Sequence, residues 1–167
     1  MPFAAVAARL AEGLGEEVGQ MYVARHFPPE SKAQMDELVA NLREAYRVSI
    51  NTLEWMTPQT REKALVKLDK FTPKIGYPAK WRDYSSLVIK RDDLYGNYRR
   101  GYVLEYDRDL GKLGGPVDRD EWFMTPQTVN AYYNPVMNEI VFPAAILQPP
   151  FFDADADAAP RASASSA

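Results

Sequence analysis

Met35, Leu38, Val39, Leu42, Tyr46, Ile50 and Leu53 recur at steps of three and four between two proline-marked boundaries. That spacing lays seven apolar side chains along one stripe of an α-helix. Over roughly 25 residues such a helix is about 38 Å long. Pro28-Pro29 opens it, because proline is tolerated in a first turn and not in a helix interior. Thr57-Pro58 closes it and starts another: the Thr57 hydroxyl can cap, and Pro58 suits the first helical position. Ala64, Leu65, Leu68 and Phe71 form the apolar side of this next helix, and Pro73 with Gly76-Tyr77-Pro78 ends it.

The same reading extends to both sides. Residues from about Phe3 to Arg25 are helical, with an interruption at Gly13-Leu14-Gly15. Trp81 to Ile89 is an extended loop with room for one short strand. A further helix is expected from about Asp92 to Leu113, with Leu94, Tyr98, Tyr102 and Leu110 as its core contacts, and Gly114-Gly115-Pro116 breaks it. The period then changes. Thr128-Val129-Asn130-Ala131-Tyr132-Tyr133 and Glu139-Ile140-Val141-Phe142 are β-type runs flanking Asn134 to Asn138, which predicts a hairpin with a loop of about five residues. From Asp153 the composition falls to Ala, Asp, Ser, Pro and Arg, which cannot build a core, so the tail is expected to be disordered. The fold class is therefore mainly α, a helical segment followed by a short β-hairpin.

Several function classes are excluded. With 46% hydrophobic and 26% charged residues, the chain has the make-up of an ordinary globular protein. Basic and acidic residues interleave at a net charge of −3, without the basic stripe of a nucleic-acid binder. The absence of cysteine removes disulfides, thiolate metal sites and thiol catalysis. No apolar run approaches the roughly 18 residues of a membrane span. The start, MPFAAVAARLAEGLGEE, lacks the basic region that precedes the apolar part of a signal peptide, so any export signal is expected upstream.

Chemistry-bearing patterns are equally sparse. His26 is the sole histidine, so an H-E-x-x-H zinc helix cannot be formed, and His26 reads as an ordinary residue near a helix end. No serine sits in a G-x-S-x-G elbow, no G-x-x-x-x-G-K-[ST] loop is present, and Asp36-Glu37 or Asp118 with Asp120 are pairs that solvated surfaces carry routinely. Asp153-Asp155-Asp157 matches the first ligands of a calcium loop, but Ala158 and Ala164 stand where that loop needs glycine and glutamate.

One segment is distinctive: VNAYYNPVMNEIVFPAAILQPPFF, Val129 to Phe152. It reads as an apolar, aromatic hairpin running into a proline-bounded loop. Asparagine is depleted in strands, so Asn130 is the odd member. An edge strand carrying it could pair its backbone with an extended peptide while the side-chain amide contacts a main-chain group.

Val129-Asn130-Ala131-Tyr132-Tyr133 followed by Asn138-Glu139-Ile140-Val141-Phe142-Pro143-Ala144-Ala145-Ile146-Leu147-Gln148-Pro149-Pro150-Phe151-Phe152 closely resembles the signature of neprilysin-like zinc endopeptidases. Leu53-Glu54-Trp55-Met56, Ile75-Gly76-Tyr77-Pro78 and Val117-Asp118-Arg119-Asp120-Glu121-Trp122 agree in the same order, so the resemblance covers roughly residues 10 to 152. It implies a helical cap-domain segment with linker over 1–115 and the start of a thermolysin-like catalytic domain over 116–152, leaving 153–167 outside the family pattern. It further implies that Asn130, through its side-chain amide, and Ala131, through its main-chain carbonyl, bind the substrate backbone.

The family's zinc ligands, general base and transition-state stabilisers follow the Pro-Pro-Phe-Phe element and are absent from this sequence. Zinc is thus expected in the full-length family and not in this chain, which alone is expected to be inactive. The tail then reads as a frameshifted or appended sequence. The expected partners are a peptide substrate in the parent enzyme, with no nucleic acid and no membrane segment; the compartment is left open, and an exported parent is compatible with the family. Two other readings remain: a non-catalytic helical module that binds peptides or a partner, and one half of a split peptidase completed by a separate catalytic chain. Ile140, Phe142, Ile146, Leu147, Phe151 and Phe152 are expected to form an exposed apolar edge that favours self-association.

Overall fold

The computed structural model describes residues 13–155. Helix α1 (Gly15–His26) begins after a bend at Leu14, where the glycine pair predicted an interruption. The part of this unit expected from Phe3 onward lies outside the described residues. Helix α2 (Pro29–Thr52) carries the long apolar stripe and starts on Pro29 at its first position. Helix α3 (Pro58–Asp69) is capped as expected: Thr57 Oγ accepts from the Thr60 N–H at 3.3 Å.

The chain then does what the sequence did not suggest. Thr72–Gly76, expected only to end a helix, forms strand β1. It pairs in parallel with β3 (Glu139–Pro143), whose other neighbour is the antiparallel β2 (Tyr132–Asn134), giving the order β1-β3-β2. Pro73 is compatible because β1 is an edge strand and needs no donor on its outer side. Only β2 and β3 come from the predicted hairpin, and their connection, Pro135 to Asn138, turns through Asn138 at φ 53°. Trp81 to Ile89 forms no strand.

Register and pleat sort the side chains onto two faces. Ile75, Ile140, Phe142 and Tyr133 share one, and Lys74, Glu139, Val141, Tyr132 and Asn134 the other. The first face closes on α2 through a core of Phe27, Met35, Val39, Ile75, Ala144, Leu147 and Phe152. Burying apolar side chains of this size contributes about 1.5–3 kcal/mol each. Phe27 lies against Gly76, whose φ of 80° and lack of a side chain admit the ring: a Cβ there would sit 2.5 Å from Phe27 Cε1.

The second face is covered by residues 119–126, with Trp122 and Pro126 buried. Beneath them Lys74 Nζ lies 2.7 Å from Glu139 Oε2 and donates to the Glu121 carbonyl at 2.9 Å. The sheet therefore joins a strand from before residue 115 to two from after 116.

Helix α4 (Leu94–Gly111) departs from expectation in its orientation. Leu94, Tyr98, Tyr102 and Leu110, expected as core contacts, are all exposed, Tyr102 at 62%. The helix instead buries Asn97 and Gly101, four residues apart on one face. Gly101 packs against the Gly13 backbone, and Asn97 bonds both ways with Lys90, donating to its carbonyl at 2.7 Å and accepting from its N–H at 2.8 Å. Asp93 caps the first turn by accepting from the Gly96 N–H at 2.9 Å. The apolar edge expected from Ile140 to Phe152 is also corrected: Leu147 and Phe152 are buried, Ile140, Phe142 and Ile146 are half-buried, and Phe151 alone of the six is exposed. At the tail, Ala154 packs against the core, and residues 156–167 lie outside the described residues.

Candidate functional site

Asn130 and Ala131 enter β2, which is paired on one side only, with β3. Three sets of contacts fix this entry. Upstream, the Thr128 N–H donates to the Thr125 carbonyl at 2.9 Å, the two threonine hydroxyls share a hydrogen bond of 3.0 Å, and the Asn130 N–H donates to the Thr128 carbonyl at 3.0 Å. At the strand itself, Tyr132 accepts at its hydroxyl from the Phe123 N–H at 3.0 Å, with the two rings edge to face at 6.0 Å. Burial, with the negative charges of Glu139 and Glu121 adding to it, pushes the Tyr132 phenol above its ordinary pKa, opposed by the Phe123 N–H. The phenol therefore stays protonated well past neutral pH.

At the hairpin turn, Asn134 Oδ1 accepts from the Val136 and Met137 N–H groups, the Tyr133 hydroxyl reaches Asn138 Oδ1 at 3.1 Å, and Asn138 Nδ2 donates to the Lys67 carbonyl at 2.9 Å. An edge anchored at both ends presents its outer backbone groups in a fixed line, the geometry that strand addition needs.

The Asn130 side chain is exposed. Its Oδ1 accepts from the Ala131 N–H at 2.8 Å, which orients the amide and leaves Nδ2 without a protein acceptor among the described residues. The group offered outward is thus a donor suited to a peptide carbonyl. On the opposite sheet face, Tyr133 stacks on Phe71 at 6.5 Å, and both line an apolar groove of about 520 Å³ with Tyr46, Ile50 and Leu68. The far half of the α2 stripe, Tyr46 and Ile50, is the wall of this groove.

Metal chemistry finds no support in the donor set. His26 is exposed at the end of α1, its ring 5.0 Å from Tyr22, and no three His, Cys, Asp or Glu side chains come together among the described residues. The buried carboxylate of Glu139 is engaged by Lys74 through one oxygen, and its Oε1 has no hydrogen-bond partner among the described residues. The described residues do not fit a zinc centre.

Two family models, both described as peptidase family M13, match this chain, the N-terminal one over residues 4–78 and the other over residues 130–163. The chain belongs to peptidase family M13. The second match in this M13 chain includes Asn130, Ala131 and the whole hairpin, and it runs past residue 152, where the resemblance read from the sequence ends. Neprilysin-3 of Drosophila melanogaster is 40% identical over 147 residues, which are 84% of this chain and 19% of the relative. Human neprilysin is 37% identical over 145 residues, 82% of this chain and 19% of the relative. The chain thus spans about a fifth of the length of these relatives.

Among solved structures, the open state of Mycobacterium tuberculosis zinc metalloprotease Zmp1 is 69% identical, with a TM-score of 0.83 over 90% of this chain and 23% of that one. PepO from Lactobacillus rhamnosis HN001 is 32% identical, with a TM-score of 0.72 over 87% of this chain and 24% of that one. The neprilysin-like metalloendopeptidase resemblance and the mainly helical fold with a short hairpin both stand.

Proposed function

We propose that this M13 chain supplies the strand on which a zinc endopeptidase holds its peptide substrate. The reading is carried by one observation: Asn130 and Ala131 lead into β2, an edge strand with no neighbour on its outer side among the described residues, and the free Nδ2 of Asn130 is exposed beside it. An extended peptide adds to that edge by main-chain hydrogen bonds, the Asn130 amide donating to a peptide carbonyl and the Ala131 carbonyl accepting from a peptide N–H. Main-chain pairing gives affinity with little regard to sequence.

Hydrolysis belongs to the whole protein, with zinc and the proton-transferring groups held by residues other than those described here. Residues 116–152 then form the beginning of its catalytic part. The family membership and the likeness to solved zinc metalloproteases support this assignment.

The test is titration of the chain with a short fluorescein-labelled apolar peptide, followed by polarisation. Saturable binding that weakens about tenfold in Asn130→Ala, the scale of one lost hydrogen bond to a peptide, supports the reading. Binding that is indifferent to Asn130→Ala overturns it. Chelator-sensitive cleavage by the isolated chain would place the chemistry within it and contradict the division of labour proposed here.

A further inference from the structure

The segment that aims Asn130 is seated on a helix more than a hundred residues away. Thr125, Pro126 and Gln127 lie along α1, and the contact is possible because α1 presents Gly15 and Gly19, one turn apart, at that place. A Cβ on Gly15 would stand 2.7 Å from Thr125 Cγ2, and a Cβ on Gly19 would stand 2.7 Å from Pro126 Cδ. Carbon atoms do not approach so closely, so the methyl on Gly15 forces Thr125 Cγ2 aside, against the hydrogen bond that ties the Thr125 hydroxyl to Thr128, and the methyl on Gly19 forces the Pro126 ring from the helix. Gln127 Nε2 donates to the Gly15 carbonyl at 2.9 Å, and the buried Pro126 offers its carbonyl to the Ala145 N–H at 2.9 Å. The segment is therefore held between α1 and the turn that follows β3. Three residues beyond Gln127 comes Asn130, tied back through the Thr125–Thr128 and Thr128–Asn130 hydrogen bonds.

We infer that Gly15, Gly19 and Gln127 are positioning residues for the peptide-binding edge: they set the place of Asn130 and Ala131 without touching the peptide. The inference rests on the proposed function for its consequence, peptide affinity, but not for its geometry. Displacing Thr125 and Pro126 moves the entry to β2, whereas the pairing of β1 with β3 and the core they share with α2 keep their own contacts.

The experiment pairs each added methyl with removal of the atom it meets. Gly15→Ala and Gly19→Ala are each expected to weaken binding of the labelled peptide about tenfold, the scale of overpacking a tight contact, and to speed amide exchange at residues 128–134. Exchange at Ile75 and at its β3 partner Phe142, which lies outside the β2 register, is expected to stay near that of the unaltered chain. Gly15→Ala with Thr125→Ser removes Cγ2 and keeps the hydroxyl that meets Thr128; Gly19→Ala with Pro126→Ala removes the proline ring carbons. Both double variants are expected to recover affinity and exchange to within about twofold. Gly111→Ala, where nothing lies within 4 Å of the new methyl, is the control.

Single variants that leave exchange at 128–134 unchanged, or that speed it equally at Ile75 and Phe142, overturn the inference, as do double variants that recover nothing. If the unaltered chain binds no peptide, the proposed function fails, while the exchange pattern still decides whether α1 positions the edge. Should either glycine variant fail to fold, Gln127→Ala, which adds no bulk, is expected to give the same local exchange pattern, and its absence counts against the inference.

Discussion

The sheet with α2 and the arm formed by α4 are built on opposite plans. Around the sheet, apolar side chains close on one another, with Phe27 only 2% exposed, and a buried charge pair, Lys74 with Glu139, is tied into the overlying segment. On α4 the buried face is polar or bare, and the tyrosines face outward. What holds α4 is a set of hydrogen bonds and ion pairs: the Asp93 cap, the Asn97–Lys90 exchange, and Arg82 between Glu16 and Glu105. Burial works against the charge on Arg82, but Glu105 and Glu16 together hold its pKa above the ordinary value. Apolar closure makes the sheet a rigid platform for the edge strand. Polar anchoring leaves the arm dependent on a few groups.

The contrast sets an order of expected effects. Phe27→Ala removes a ring from the centre of the core and is expected to cost about 3–5 kcal/mol, read from the urea midpoint. Lys74→Ala leaves the Glu139 carboxylate buried without its partner, and a loss of about 3 kcal/mol is expected by the same measurement. Replacing both residues with apolar ones of similar volume is expected to recover most of it; no recovery would mean that the pair does more than neutralise itself. A loss smaller than 1 kcal/mol for Phe27→Ala would break the comparison at its stronger end.

The arm answers to pH instead. The Gly96 N–H first, then Arg100, lowers the Asp93 pKa below the ordinary 3.8, and Lys112 does the same for Asp109. A carboxylate lowered on folding gives stability that is present above its unfolded value and lost as pH falls through its folded value. Amide exchange in α4 is therefore expected to quicken as pH drops below 3.8, after correction for intrinsic rates, before exchange at Val141 responds. Simultaneous loss in both places would show that the arm and the sheet unfold as one. The smallest effect is expected at Tyr102→Ala, within about 0.5 kcal/mol, because the ring is exposed and its only aromatic neighbour among the described residues is Tyr106.

The same contrast explains what could be read from the sequence. Helix α2, the Thr57-Pro58 start of α3 and strand β3 obey local rules of period, capping and turn chemistry and stand where those rules put them, whereas the run expected as strand over Thr128–Tyr133 pairs only from Tyr132 to Asn134, because Thr128 and Asn130 are drawn into local hydrogen bonds upstream. Strand β1 obeys none: Thr72-Pro73-Lys74-Ile75-Gly76 carries a proline, a charge and a glycine, and it is a strand because β3, distant in sequence, pairs with it. In α4 the tyrosines mimic a core stripe, while the packed face is signalled only by Asn97 and Gly101, residues that local propensity treats as weak helix formers. Asn130 and Ala131 were marked by their motif. Gly15, Gly19 and Gln127 were not, because a glycine chosen for a distant contact looks like any other glycine until the contact is seen.

The most direct test is to find where on this chain a peptide sits. Amide exchange of the uniformly nitrogen-labelled chain, with and without a saturating extended peptide, reports every backbone N–H at once. Protection confined to residues 130–134, with a shift of the Asn130 side-chain amide resonances and loss of both in Asn130→Ala, is the expected result. Protection around Tyr46, Ile50 and Phe71 with residues 130–134 unchanged would place the peptide in the apolar groove, and the edge-strand account would be wrong.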